Sequence, residues 1–195
     1  MNRTGVGCVY GGDRAVGPKG RTLAAHDRIP PPEVSVFREF LGLPLHALVV
    51  HAAVTLIPLL AVLAAVYVLR PTWRPKLDWA VALSALGAPV VAFVSTQSGE
   101  ALQNALIDKG YQQEALDEIY HHSLQGDMLF RFTVALSLAT LALLVVNSRS
   151  RKVAKLPSWV GRVLSVLVVV LSIPVLIYTV RAGHTGAETL WQDTF

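Results

Sequence analysis

Four long stretches without a charged side chain govern what this chain can fold into. They are Phe40 to Leu69, Trp79 to Ser98, Phe132 to Ser148 and Val163 to Val180, of 30, 20, 17 and 18 residues. A bilayer core about 30 Å thick needs roughly 20 helical residues, with about 17 as the practical minimum. All four stretches qualify, and together they take 85 of the 195 residues, which leaves too little chain for a sizeable second domain. Composition agrees: 15% of residues are charged and 53% hydrophobic, with a mean hydropathy of +0.49. Soluble chains are about a quarter charged. The expected fold class is therefore all-α, a polytopic integral membrane four-helix bundle with the lipid bilayer as its surroundings.

Two regions are expected along the chain. Residues 1–33, rich in glycine and carrying Pro30-Pro31-Pro32, have little apolar periodicity and read as a disordered tail. Residues 34–195 form the transmembrane domain, with spans at about 45–69, 78–98, 128–146 and 158–180. Val34, Val36, Phe37 and Phe40 have an amphipathic spacing suited to the membrane interface. Pro44 suits the start of the first helix. Gly110 is a natural stop for an extension of the second, and a polar helix from Gln112 leads toward the third. Pro58, Pro89 and Pro174 fall within spans, where kinks are expected. No repeat relates the two halves, which counts against an inverted-repeat transporter. Cys8 is the only cysteine, so neither an intramolecular disulfide nor a thiolate cluster is expected.

Charge sets the expected orientation. Arg70, Arg74 and Lys76 lie between spans one and two, and Arg149, Arg151, Lys152 and Lys155 between three and four. Residues 98–127 carry only Lys109 against six acids: Glu100, Asp108, Glu114, Asp117, Glu118 and Asp127. By the positive-inside rule both basic loops are cytoplasmic, so both termini and the acidic segment face outward across a bacterial plasma membrane. Tyr67, Trp73, Trp79 and Trp159 fit an inner aromatic belt, and Tyr178 and Trp191 an outer one. In this setting the net charge of +4 reports topology, and nucleic-acid binding is not expected.

Five of the six histidines share one side of the bundle. His46 and His51 open the first span, His121 and His122 precede the third, and His184 follows the fourth. His51 lies about 7.5 Å deeper than His46, and an ionisable group at that depth points to function. Three readings remain open. Histidines from two helices hold a b-type haem as axial ligands, with His51 facing His121 or His122 the favoured pair and Arg131 and His184 contacting propionates. Alternatively His46, His51, His122 and Glu100 bind zinc or copper, although a five-residue spacing sets His46 and His51 about 140° apart on the helix. In the third reading the histidines are structural, hydrogen-bonded at the bundle mouth.

Other polar groups gather at the same end: Ser95, Thr96, Gln97, Ser98 and Glu100, and the pair Asp127 and Arg131, whose spacing permits an intrahelical ion pair. Asp78 reads as a helix-start residue. Ala80, Ala82, Ala85, Gly87 and Ala88 read as a close-packing face for neighbouring helices, a partner subunit or a second copy. No catalytic motif is present.

The motifs Gly-Leu-Pro-Leu-His-Ala-Leu-Val-Val-His (42–51) and Gly-His-Thr-Gly-Ala-Glu-Thr-Leu-Trp (183–191), with four spans in all, resemble a bacterial family of membrane proteins of unknown function, DUF2231. The likeness covers residues 36–191. The family pattern is Leu-Pro-Leu-His-Pro-x-x-Val-His in the first helix and Gly-His-x-Gly-Gly after the last. Here Ala47 replaces the proline and Ala187 the second glycine, while His46, His51 and His184 stay in place. The resemblance implies an integral four-helix protein. Fusion of some relatives to Rieske-type iron–sulfur modules suits a redox role, with a quinone or a membrane redox protein as partner. The alternative is a non-redox structural or assembly subunit of a membrane complex.

Overall fold

Pro44 caps the first long helix, which carries no charged side chain until Arg70 ends it. In the computed structural model, which describes residues 39–40, 43–148 and 157–191, four helices follow one another. They are α1 (Leu45–Leu69), α2 (Arg74–Asp108), α3 (Gln113–Asn147) and α4 (Ser158–Trp191). The 25 residues of α1 span about 37 Å, enough to cross a bilayer core. All four helices are long and apolar enough to do so.

Local chemistry fixes where each helix stops. Pro71 excludes Arg70 from helical geometry, so α1 breaks there and a three-residue 3₁₀ turn, Pro71–Trp73, leads into α2. At the far end of α2, Gly110 takes φ +74, a left-handed conformation that glycine adopts without a Cβ clash. Its N–H reaches the Ile107 carbonyl at 3.0 Å and that of Tyr111 the Leu106 carbonyl at 3.3 Å, closing a Schellman motif. α3 then starts at Gln113 and runs unbroken from its polar first turns into the apolar segment. Likewise α4 does not end at the membrane boundary but continues through the Gly183 to Ala187 motif, which is helical. Pro58, Pro89 and Pro174 lie inside α1, α2 and α4, and each helix continues through its proline. Before α1, Phe40 belongs to a short strand, β1 (Glu39–Phe40), paired antiparallel with β2 (Leu43–Pro44). The tail 1–33, residues 34–38 of the interfacial segment and the basic loop 149–156 lie outside the described residues.

The helices alternate in direction and pack as a square, each against its neighbours in sequence and α1 against α4, so α1 faces α3 across the diagonal. Inward positions recur at helical spacing. On α1 they are Ala53, Ile57, Leu60, Ala61, Ala64 and Tyr67, and on α2 Val81, Ser84, Ala85, Ala88 and Ala92. Ala85 and Ala88 thus belong to the close-packing face, while Ala80, Ala82 and Gly87 are half-buried at its edge. Gly87 still sets a close approach, since a Cβ there would sit 3.2 Å from Leu56 Cδ2. The outward positions are equally apolar: Leu83, Leu86 and Val90 on α2, and Val166, Val170, Ile173 and Ile177 on α4. In water such a surface would be an aggregation liability, but in lipid it is the solvated face. Tyr67 departs from the aromatic belt expected of it. It is 2% exposed, and its hydroxyl donates to Asp78 at 2.9 Å, so Asp78 is a partner of α1 as well as an early residue of α2.

Two substitutions on adjacent residues separate the inner from the lipid-facing side. Ala85→Leu, at a position with no free surface, is expected to destabilise the bundle by about 1–3 kcal/mol by overpacking. Leu86→Ala, facing outward, is expected to change it by no more than about 0.5 kcal/mol. Thermal melts in detergent read both.

Candidate functional site

The phase of α1 decides which histidine enters the bundle. His46 lies seven residues before Ala53, almost two full turns, and shares its inward face; His51, two residues before Ala53, lies on the opposite side. The same logic applies on α3, where His122 precedes Leu129, Leu136 and Leu143 at seven-residue steps. Leu136 and Leu143 are fully buried, so this is the core face, and His121 is turned about 100° away from it.

The two inward rings meet across the diagonal. Their centroids are 6.2 Å apart and their planes 80° to each other. Each is held by a different neighbouring helix. His46 Nδ1 donates to the Ser95 carbonyl of α2 at 3.0 Å and lies 3.3 Å from Ser98 Oγ, which itself donates to that carbonyl at 3.0 Å. A carbonyl only accepts, so the proton of a neutral His46 ring is on Nδ1 and the lone pair on Nε2. His122 Nδ1 meets Thr185 Oγ1 of α4 at 3.1 Å. The threonine hydroxyl has the Arg181 carbonyl at 3.1 Å and that of Ala182 at 3.3 Å as acceptors of its own, so it can accept from His122, and in that tautomer the lone pair is on Nε2.

Glycines make room for both rings. A Cβ on Gly99 of α2 would lie 3.2 Å from His46 Cε1, and one on Gly186 of α4 would lie 3.0 Å from His122 Cε1. Gly186, the first glycine after His184 in the second motif, therefore serves His122 and not its own neighbour. The site draws on all four helices: an imidazole each from α1 and α3, and an oxygen acceptor and a glycine each from α2 and α4.

The other sequence candidates are not brought to this pair. His51 is exposed, and its Nδ1 bonds to the Ala47 carbonyl of its own helix at 2.7 Å. His51 facing His121 or His122 is thus replaced by His46 facing His122. His121 is exposed beside Tyr120, with ring centroids 6.3 Å apart. His184 is exposed and pairs with Glu188 one turn on, at 3.2 Å. Arg131 is exposed and forms no ion pair with Asp127. Glu100 is exposed, 3.5 Å from Gln97 Nε2. The proposed set of His46, His51, His122 and Glu100 does not assemble, and among the described residues no three histidine, cysteine, aspartate or glutamate side chains converge on a metal-sized site. The helix period is the cause, because a five-residue spacing cannot turn two side chains the same way.

Reading the sequence by residue type also passed over a second polar cluster. At the opposite end of the bundle, Tyr67, Arg74, Asp78 and Asn147 line a cleft of about 360 Å³. Arg74 Nε donates to the Tyr67 carbonyl at 3.1 Å, and its guanidinium lies 5.3 Å from the Tyr67 ring centroid. The tyrosine at the end of α1 and the aspartate four residues into α2 were the available signal, since a helical hairpin brings its ends together.

A family model described as Predicted membrane protein (DUF2231) matches residues 42–195, which includes both histidine motifs and all four helices. The chain belongs to this family. No curated protein and no solved structure matches it. As a DUF2231 member with four helices long and apolar enough to span, it is an integral membrane protein.

The glycine contacts generate a paired test. Gly183→Ala meets nothing within 4 Å and is expected to gain up to about 1 kcal/mol from helix propensity. Gly186→Ala gains the same propensity but drives a methyl onto His122, and is expected to lose about 1 kcal/mol or more net. Thermal melts compare the two, and the imidazole NMR resonances of His122 are expected to shift only in the second.

Proposed function

We propose that His46 and His122 would hold a b-type haem at the histidine end of the bundle, and that the protein takes part in membrane electron transfer. The observation that carries this reading is the pairing of two imidazoles on diagonal helices, each with Nδ1 at hydrogen-bond distance from an oxygen of a neighbouring helix, which leaves Nε2 for a ligand. Ligating histidines show this arrangement, in which the second nitrogen is tied to a carbonyl or hydroxyl that fixes the ring and raises its basicity. The donor set favours haem over a bare ion. A tetrahedral zinc site needs three or four protein ligands, whereas haem brings four equatorial nitrogens and asks the protein for two. The centroid separation of 6.2 Å puts both rings within reach of one shared group.

A bound haem would supply one-electron exchange between ferrous and ferric iron. The chain's own contribution is positional: Ser95 and Thr185 orient the rings, Gly99 and Gly186 admit them, and the apolar helices exclude water. With both basic loops cytoplasmic, this end faces outward across a bacterial plasma membrane, where a quinone or a membrane redox protein is the partner. A second reading has one observation in its favour, namely that each imidazole bonds to a neighbouring helix. The histidines then clasp α1 to α2 and α3 to α4 in a structural or assembly subunit.

Protein purified after expression with haem available is expected to show a Soret band and a reduced-minus-oxidised difference on dithionite addition. His46→Ala and His122→Ala are each expected to lose at least about tenfold in bound haem, while His51→Ala keeps it. A colourless wild-type protein that still melts at lower temperature as His46→Ala supports the clasp and overturns the haem. Retained copper or zinc in place of haem overturns it in favour of a bare ion.

A further inference from the structure

Arg74 and Asp78 stand one turn apart at the start of α2, a spacing at which opposite charges ordinarily meet. Here each is engaged by Tyr67 of α1, and no ion pair joins them among the described residues. Arg74 Nε donates to the Tyr67 carbonyl at 3.1 Å, and Asp78 Oδ1 accepts from the Tyr67 hydroxyl at 2.9 Å. The tyrosine is packed in the core, so it acts as a fixed spacer between the two charges. It takes one nitrogen of the guanidinium and one oxygen of the carboxylate, which leaves both Nη groups as donors and Oδ2 as an acceptor. Both side chains line the cleft of about 360 Å³, together with Asn147 and Ser148 at the end of α3. A complementary occupant carries an anionic group for Arg74 and, about 6 Å further along the helix, a cationic N–H donor for Asp78.

The surroundings of the cleft narrow the choice. Trp73 and Trp79 flank Arg74 and Asp78 in sequence and are both exposed, and tryptophans of this kind sit at the level of lipid headgroups. From Trp79 an exposed apolar stripe continues along α2 through Leu83, Leu86 and Val90, at steps of four, three and four residues. It is about 16 Å long, close to the depth of one leaflet. A phosphate and an ammonium at headgroup level, joined to a chain that lies on such a stripe, make a phospholipid. Asp78 selects the headgroup. A trimethylammonium has no N–H to donate, and a glycerol headgroup has no cation, whereas a primary ammonium supplies both.

We infer that the cleft at Tyr67, Arg74, Asp78 and Asn147 binds one ethanolamine phospholipid, with its phosphate on Arg74, its ammonium on Asp78 and an acyl chain along Trp79, Leu83 and Leu86. The site lies at the end of the bundle opposite the histidine pair and does not depend on whether a haem binds there.

Native mass spectrometry of the delipidated full chain, released from detergent, tests the assignment. Phosphatidylethanolamine, phosphatidylcholine and phosphatidylglycerol with identical acyl chains are titrated separately. One phosphatidylethanolamine per chain is expected to bind at least about tenfold more tightly than either of the others, the loss of a hydrogen bond to a charged group. Arg74→Gln is expected to weaken it at least about tenfold, while Lys76→Gln, a neighbouring exposed cation outside the cleft, leaves it unchanged. Asp78→Asn keeps an acceptor for the Tyr67 hydroxyl, and with it the fold, and is expected to abolish the preference for ethanolamine over choline. Equal binding of the three lipids by the unaltered chain, or a preference that survives Asp78→Asn, overturns the inference. Phosphoethanolamine without acyl chains is the remaining arm: binding as tight as that of the lipid assigns the cleft to a soluble zwitterion and overturns the lipid.

Discussion

Everything in this protein follows from the requirement that no peptide group be left unpaired in an apolar medium. A chain with 85 residues in charge-free stretches has nowhere to hydrogen-bond its backbone except within itself, and helices answer that demand segment by segment. Once formed, the helices gain little from the hydrophobic effect against one another, since lipid is as apolar as they are. Close packing takes over, which is why alanines such as Ala61, Ala64, Ala85 and Ala88 are fully buried among larger core residues such as Leu60 and Leu136, while other leucines and valines, Leu83 and Val166 among them, face outward.

In such a setting polar groups are costly, and the few that lie inside mark particular places. At one end His46 and His122 are each fixed by an oxygen acceptor on a neighbouring helix and fitted over a glycine. At the other, Tyr67, Arg74 and Asp78 tie the end of α1 to the beginning of α2. Between them α3 carries Thr133, Ser137 and Thr140 on its buried side, the last two without a hydrogen-bond partner among the described residues. The bundle is thus polarised along its axis, with a precisely phased imidazole pair at one mouth and a hydroxyl-bearing cleft at the other.

Much of this was legible in residue order. The apolar runs, Pro44 as a start and Gly110 as a stop all act locally, so the elements could be placed without a partner in view. The histidines were legible as a group, because connectivity alone gathers α1, α3 and α4 at one end. Their pairing was not. His51 drew attention for its depth, yet depth along a helix says nothing of direction around it, and the Ala53–Leu60 seam points His46 inward instead. Arg131 and Asp127 have the spacing of an ion pair and do not form one. Tyr67 was read from its position near a boundary, whereas it is buried in the core with its hydroxyl on Asp78 eleven residues away.

The sequence by itself determined the medium, the number of spans and the end at which the histidines collect, since hydropathy, helix breakers and chain direction are properties of neighbours along the chain. Only the tertiary structure decided that His46 meets His122, that Gly99 and Gly186 admit them, and that Tyr67 reaches Asp78. Those outcomes depend on how each helix is rotated about its axis, and that rotation is set by packing against three other helices at once.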